Sequence, residues 1–181
     1  MNIIEHSPAF KSGTRVLLLR GRNKDRVVRQ RAIARVSHSE EMFDRTIEDF
    51  VRIAKAGERI YASAGRRSMP AAIREFKRRQ LDADYDNDPE KFYRSINDRW
   101  VASLMQPSSQ SEKLWLFDCD DADTYADLAR ELDAHYSKDL VRYDYKTKSG
   151  RHVITKPFNR TLLSDKVRAT LHENPIMLWA F

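Results

Sequence analysis

The stretch KLWLFDCDDADTYADLAREL, residues 113–132, decides the fold of this chain because two periodicities meet in it. An apolar run that ends in alternating acidic residues predicts a short buried strand over 114–118. Apolar residues at helical spacing then predict an amphipathic helix over about 123–136. Asp121 or Asp123 stands where a helix N-cap belongs. A strand that leads directly into a helix indicates a chain in which both kinds of element pack together.

Strands and helices also alternate on both sides of this stretch. The sequence predicts further strands over 15–20, 58–65, 140–145, 151–156 and the final NPIMLWAF. It predicts further helices from the capping-box pair Ser37 and Glu40 to Gly57, over 69–80, and over 89–105. Because the alternation ends in strands suited to antiparallel pairing, we expect a single domain of the α+β class.

Composition limits the classes of protein to consider. With 181 residues and 41% hydrophobic content, the chain can bury the core of one ordinary domain. Its net charge of +6 is compatible with a polyanionic partner but does not require one. The single cysteine excludes an intramolecular disulfide, and no CxxC zinc spacing is present. No signal peptide and no membrane-spanning run is recognisable, so we expect a cytoplasmic protein without a membrane partner.

The acidic residues at the end of the predicted strand suggest a metal site. Asp118 and Asp120 are two positions apart, so on a strand their side chains share one face. Two carboxylates that close repel each other unless a cation lies between them. Mg²⁺ and Mn²⁺ are the natural candidates for this cation, because hard divalent ions take oxygen donors and bridge carboxylates to substrate phosphates. The alternative is that the whole acidic cluster consists of turn and cap residues.

A second element follows in YDYKTKSGRHVITKPFN, residues 143–159. Its TKSG turn predicts a hairpin that presents Lys148, Ser149 and Arg151 as donors for phosphate oxygens. His152 follows the glycine turn at the start of an alternating strand, where it can face a cleft. If the hairpin pairs beside the acidic strand, a phosphate bound here can share its metal with the carboxylates. An ordinary basic turn with a solvated imidazole is the alternative.

DCD at 118–120 followed by SGRH at 149–152 resembles the first two motifs of the archaeo-eukaryotic primase superfamily. This resemblance implies an RRM-like core with a mixed or antiparallel sheet flanked by helices, and metal-dependent nucleotidyl transfer in DNA replication. By position, Asp118 and Asp120 would bind Mg²⁺ or Mn²⁺, and His152 would contact the phosphates of the incoming nucleotide. Ser149 and Arg151 would belong to the same phosphate-binding turn. The implied partners are a nucleoside triphosphate and DNA or RNA.

The resemblance covers only about 113–160. It implies that this stretch is the motif-bearing core of a single primase-like domain over 1–181, in which 1–38 form a basic N-terminal strand and arm. The superfamily has a third metal-binding aspartate on a later strand. Asp165 in LLSD is the remaining candidate for that ligand. A reduced member of the kind that phages or mobile elements encode fits these motifs as well as a working primase does.

Three functions are therefore compatible with these motifs. In a primase-type nucleotidyltransferase, Arg66 and Arg67, together with the basic segment 15–35, would guide template phosphates. A phosphatase of the haloacid-dehalogenase type also uses two aspartates at a strand end, but DCDDADT lacks the usual DGT sequence. The third function is a non-catalytic, nucleic-acid-binding replication accessory protein, which would use aromatic residues interleaved with Lys and Arg as stacking surfaces.

Overall fold

The computed structural model describes residues 3–6, 10–21, 32–81, 88–136 and 138–180. In these ranges the chain forms eight strands, which are β1 (Arg15–Gly21), β2 (Ala32–Ser37), β3 (Glu58–Ser63), β4 (Trp115–Cys119), β5 (Val141–Lys146), β6 (Arg151–Thr155), β7 (Leu171–Glu173) and β8 (Ile176–Ala180). The helices are α1 (Glu40–Ile53), α2 (Met69–Leu81), α3 (Pro89–Arg94), α4 (Ile96–Leu104), α5 (Ala122–His135) and α6 (Asp165–Arg168). None of the helices in these ranges is long and apolar enough to cross a bilayer.

The first sheet is antiparallel and has the strand order β2-β1-β3-β8. Both faces of β1 are apolar because helices cover both sides of the sheet. Leu17 and Leu19 pack with Phe43 of α1 on one side. Val16 packs with Leu104 of α4, and with α2, on the other. The arrangement explains why RVLLLRG reads as a continuous apolar run instead of an alternating one.

Two helix boundaries differ from the sequence prediction. Ser37 does not cap α1, because it is the last residue of β2 and its hydroxyl donates to the carbonyl of Ser39 at 2.8 Å. Ser39 is the N-cap instead, and its hydroxyl accepts from the Met42 backbone N–H at 3.2 Å. The helix predicted over 89–105 is broken at Ser95, whose hydroxyl bonds to the carbonyl of Phe92 at 3.0 Å and so competes with the helical pattern.

The second sheet contains the predicted strand and hairpin. The chain runs β4-α5-β5-β6-α6-β7, and the antiparallel sheet has the order β5-β6-β4-β7. The first and third strands of this unit, β4 and β6, are thus central, and its second and fourth strands, β5 and β7, are at the edges. This is the order of the β-α-β-β-α-β ferredoxin-like fold, to which RRM domains belong. The α+β class with an RRM-like sheet flanked by helices is therefore confirmed.

The two sheets are connected where β7 passes into β8. Asn174 makes the turn in a left-handed conformation, with φ of 60°, and its amide group bonds to the Met105 carbonyl at 2.6 Å. One apolar core spans both sheets. Its members include Leu17, Leu19 and Ile60 of the first sheet, and Leu116, Tyr145 and Ile154 of the second. The basic segment 22–31 within the predicted N-terminal arm lies outside the described residues.

Candidate functional site

The two aspartates of the DCD motif are separated by a residue that faces the other way. Cys119 is fully buried beside Phe117 and Leu128 on the α5 side of the second sheet. Burial and the nearby Asp118 carboxylate raise the pKa of the Cys119 thiol to about 11. Asp118 and Asp120 instead line one cleft on the opposite face, as the strand alternation predicts.

Asp121 has the structural role that the sequence allows for it. Its carboxylate caps α5 by accepting from the Thr124 backbone N–H at 2.7 Å and from the Thr124 hydroxyl at 2.9 Å. The Thr124 backbone hydrogen bond is the largest cause of the lowered pKa of Asp121. The acidic cluster thus divides into the capping residue Asp121, Asp123 in the first turn of α5, and the pair Asp118 and Asp120 at the cleft.

The β5–β6 hairpin is held against the acid motif by Gly150. The turn closes with a hydrogen bond from the Thr147 N–H to the Gly150 carbonyl at 2.9 Å. A Cβ atom added to Gly150 would lie 2.9 Å from Cα of Asp120 and closer still to the carbonyl oxygen of Cys119. Glycine is therefore required here for close backbone approach. This approach places Lys148 and Ser149 at the same cleft as the two carboxylates.

The cleft lies between the two sheets and has two lobes. One lobe, of about 240 Å³, is polar and contains both aspartates and the hairpin turn. The other lobe, of about 330 Å³, is lined by Leu116, by His172 of β7 and by Pro175 of the β7–β8 turn. Tyr61, Asp118 and His152 border both lobes. The centre of the site is therefore the pair formed by Asp118 and His152.

Asp118 and His152 are directly opposite each other on the two central strands of the second sheet. The imidazole Nε2 lies 3.0 Å from the Asp118 carboxylate, and Nδ1 lies 2.7 Å from the Tyr145 hydroxyl. Burial raises the pKa of Tyr145, so this hydroxyl stays protonated and donates to Nδ1. With Nδ1 accepting, the network assigns the imidazole proton to Nε2. His152 therefore presents an N–H donor to the cleft.

Arg151 is not part of the cleft, contrary to its predicted role in the phosphate-binding turn. Adjacent strand residues point to opposite faces, so Arg151 lies on the α5 side of the sheet while His152 faces the cleft. Its guanidinium pairs with the Asp144 carboxylate at 2.8 Å and stacks over the Tyr125 ring, 4.7 Å from the centroid. These contacts give Arg151 a structural role.

Asp165 is not a third ligand beside the acid pair. It is the first residue of α6, which packs with α5 on the side of the sheet away from the cleft. Its side chain is 97% exposed and lies 3.4 Å from the Arg168 guanidinium. The prediction is wrong because LLSD begins a helix, with Ser164 as its N-cap, and does not continue a strand.

Neither Arg66 nor Arg67 lines the cleft. Arg67 is only 3% exposed, and burial lowers the pKa of its guanidinium to about 10. Arg66 is half-exposed and bonds to the Ser12 hydroxyl at 2.8 Å, with Glu112 at 3.9 Å. A buried guanidinium cannot reach a nucleic-acid backbone, so the structure gives no support to Arg67 as a template contact.

The cleft also contains residues that the sequence did not single out. Arg59 and Tyr61 of β3 line the polar lobe from the first sheet, opposite Lys148 and Ser149. The alternation of ERIYAS puts both on the face away from the buried Ile60. That alternation is visible in the sequence, but the cleft that the two side chains line is not.

The acid pair fits a hard divalent cation that is held partly by its substrate. Asp118 and Asp120 offer oxygen donors at the mouth of a polar lobe, with room for phosphate oxygens between them and Lys148. Mg²⁺ commonly binds through one or two carboxylates and completes its shell with water and substrate phosphates. Across the described part of the chain, no group of three or more acidic, histidine or cysteine residues is arranged to hold a metal.

Comparisons with known proteins return no match among family models, curated proteins or solved structures. We therefore argue function from the residues of the cleft and from the order of the strands that carry them. The two parts of this basis are independent, because strand order follows from backbone pairing and the cleft from side chains.

Proposed function

We propose that the protein binds a nucleoside triphosphate with Mg²⁺ or Mn²⁺ in the cleft between its sheets, and transfers the nucleotide as primase-polymerase enzymes do. One observation carries the proposal. The acid pair, the imidazole of His152 and the donors of the Lys148–Ser149 turn converge on a single cleft. The RRM-like strand order beneath them supports it, because both motifs occupy the two central strands.

Each residue of the cleft then has a distinct task. Asp118 and Asp120 hold the divalent cation, which when bound neutralises triphosphate charge and polarises the α-phosphate. Lys148 and the Ser149 hydroxyl donate to phosphate oxygens. His152, whose Nε2–H is directed at the Asp118 carboxylate in this structure, donates that N–H to a phosphate oxygen when a triphosphate lies in the polar lobe. Tyr145 keeps the imidazole in the tautomer that this exchange requires.

The reaction that this arrangement serves is displacement at the α-phosphorus. The 3′-hydroxyl oxygen of an acceptor strand forms the new bond to phosphorus and its proton passes to water, while the bond to the bridging oxygen breaks and pyrophosphate leaves. The cleft residues contribute by positioning the triphosphate and by stabilising negative charge on its oxygens.

A second function is favoured by one feature of the site. Nucleotidyl transfer with two metals generally uses a third carboxylate, and Asp165 does not supply it. A replication accessory protein that binds nucleotide and nucleic acid without turnover is therefore the competing proposal. It differs from the first in catalysis alone, so binding and turnover must be measured separately.

Two measurements on the same variants test the proposals. Calorimetric titration with Mn²⁺ and a non-hydrolysable nucleoside triphosphate should show binding that Asp118→Ala plus Asp120→Ala abolishes. Asp165→Ala is the matched control and should bind like the wild type, because its carboxylate is remote from the cleft. Equal titrations for wild type and double variant would refute both proposals. Incorporation of labelled nucleotide with Mg²⁺ or Mn²⁺ supports the enzyme, and binding without incorporation supports the accessory protein.

A further inference from the structure

A histidine outside the cleft lies directly behind the residues that hold His152. His6, in the segment before β1, is buried against β8, where its ring stacks on Trp179 with 4.1 Å between the centroids. Its Nε2 bonds to the Leu178 carbonyl at 2.9 Å. Leu178 in turn lines the polar lobe of the cleft. The residues that bind the triphosphate do not include His6, so the proposed function leaves its role unassigned.

An imidazole is a costly choice for this buried position. His6 is only 9% exposed, and its Nδ1 has no hydrogen-bond partner among the described residues. Burial lowers the pKa of His6 to about 4, so the ring is neutral at pH 7 and carries one proton. Because a carbonyl only accepts, that proton lies on Nε2 and is donated to Leu178. An apolar ring would pack here without an unpaired nitrogen, so the gain from histidine is its hydrogen bond to Leu178.

The His6 ring and the Leu178 backbone both contact Tyr145. The His6 and Tyr145 rings meet edge to face, with 4.7 Å between their centroids. Burial raises the pKa of the Tyr145 phenol, and a hydrogen bond from the Leu178 backbone opposes this with a smaller effect. The same hydroxyl lies 2.7 Å from Nδ1 of His152. A continuous chain of contacts therefore runs from His6 through Leu178 and Tyr145 to the imidazole that faces the cleft.

We infer that His6 is a positioning residue for His152. By holding the Leu178 carbonyl and the Tyr145 ring, it keeps the Tyr145 hydroxyl on Nδ1 of His152, and so keeps the proton of that imidazole on Nε2. This role rests on the proposed function for its consequence, since the Nε2–H of His152 is the group that donates to a triphosphate. The contacts themselves form without a ligand, so they can be tested separately from binding.

The test is ¹⁵N NMR of the histidine-labelled protein without ligand, which reports the hydrogen bond at Nδ1 of His152. His6→Phe and His6→Leu both remove the donor to Leu178, and either variant that folds should move the Nδ1 signal toward its position in Tyr145→Phe. His6→Gln should retain the wild-type signal, because its amide nitrogen lies as many bonds from Cα as Nε2 of histidine does. Val16→Ala is the matched control, since it also loses buried contacts but belongs to a separate apolar cluster on the other side of the first sheet.

Binding of the non-hydrolysable triphosphate with Mn²⁺ is then measured on the same variants. His6→Phe should weaken it about tenfold, the loss expected when a hydrogen bond to a charged group is weakened, whereas His6→Gln and Val16→Ala should stay within about twofold of the wild type. If the protein binds no triphosphate, the proposed function fails, and a moved His152 signal still supports the positioning contact.

Three results would overturn the positioning role of His6. The first is a wild-type Nδ1 signal in both variants that lack the donor. The second is a signal that Val16→Ala moves as far as they do, because a general loss of stability would then explain the change. The third is a moved signal in His6→Phe together with wild-type affinity for the triphosphate.

Discussion

Replacing Gly150 with alanine is a stringent test of how the cleft is assembled. The added methyl group would lie 2.9 Å from Cα of Asp120 and closer still to the Cys119 carbonyl oxygen, whereas ordinary contacts begin at about 3.4 Å. The hairpin and the acid motif must therefore separate by at least about 0.5 Å. Both sides of this contact are backbone, so no side-chain rotation can relieve it.

Two consequences of Gly150→Ala have expected magnitudes. Overpacking of this kind costs ~1–3 kcal/mol in the free energy of unfolding, which urea denaturation measures. Displacement of Lys148 and Ser149 from the acid pair should weaken nucleotide binding about tenfold or more, because misplacement by about 1 Å at a site can cost 100-fold. Calorimetric titration with Mn²⁺ and the triphosphate measures this second effect.

Gly65→Ala is the matched control for the steric effect. A methyl group at Gly65 would also collide with a backbone carbonyl oxygen, that of Glu112, and Gly65 does not line the cleft. We expect Gly65→Ala to lose similar stability while it keeps nucleotide affinity. If Gly150→Ala retains both the stability and the affinity of the wild type, the close approach of hairpin and acid motif is not what builds the site.

Three further predictions concern the neighbours of the acid pair. Tyr145→Phe should remove the hydrogen bond to Nδ1 of His152 and so change the ¹⁵N NMR shift of that nitrogen, and an unchanged Nδ1 signal would contradict the assigned network. Asp121→Ala should lower the urea midpoint at pH 7. Because folding lowers the pKa of Asp121, its carboxylate stabilises the fold fully above the ordinary pKa of 3.8, and this stabilisation is lost as the pH falls through the pKa of the folded state. The urea midpoints of the wild type and of Asp121→Ala should therefore converge in acid. The Cys119 thiol, with its pKa raised to about 11, should react with a disulfide reagent at pH 8 only after unfolding, and rapid reaction of the native protein would contradict its burial.

The sequence predicted the parts of the site that depend on local periodicity. Asp118 and Asp120 share a face because the side-chain period of a strand is two, and the turn before His152 follows from its serine and glycine. The same period also decides Arg151, which adjoins His152 and must therefore face α5. The alternation in RHVIT is visible in the sequence, and it places Arg151 and His152 on opposite faces of the sheet.

Other parts of the structure depend on contacts between distant segments. Arg59 and Tyr61 reach the cleft only because the β7–β8 turn brings the first sheet against the second, which no local pattern encodes. Strand β7 has only three residues, too few for a periodic pattern. Strand β2 lies at the edge of the first sheet and pairs with β1. Its AIARVS sequence follows a basic segment, which gave no separate strand signal.

The central claim is that a divalent cation binds between Asp118 and Asp120, beside His152. Paramagnetic Mn²⁺ broadens the NMR signals of nearby nuclei with a steep dependence on distance, and the chain contains five histidines whose imidazole signals serve as reporters. As substoichiometric Mn²⁺ is added with the triphosphate, the His152 signals should disappear well before those of His38 and His135, because its Nε2 lies 3.0 Å from the Asp118 carboxylate. Equal broadening of these histidines, or sharp His152 signals at saturating Mn²⁺, would contradict the claim.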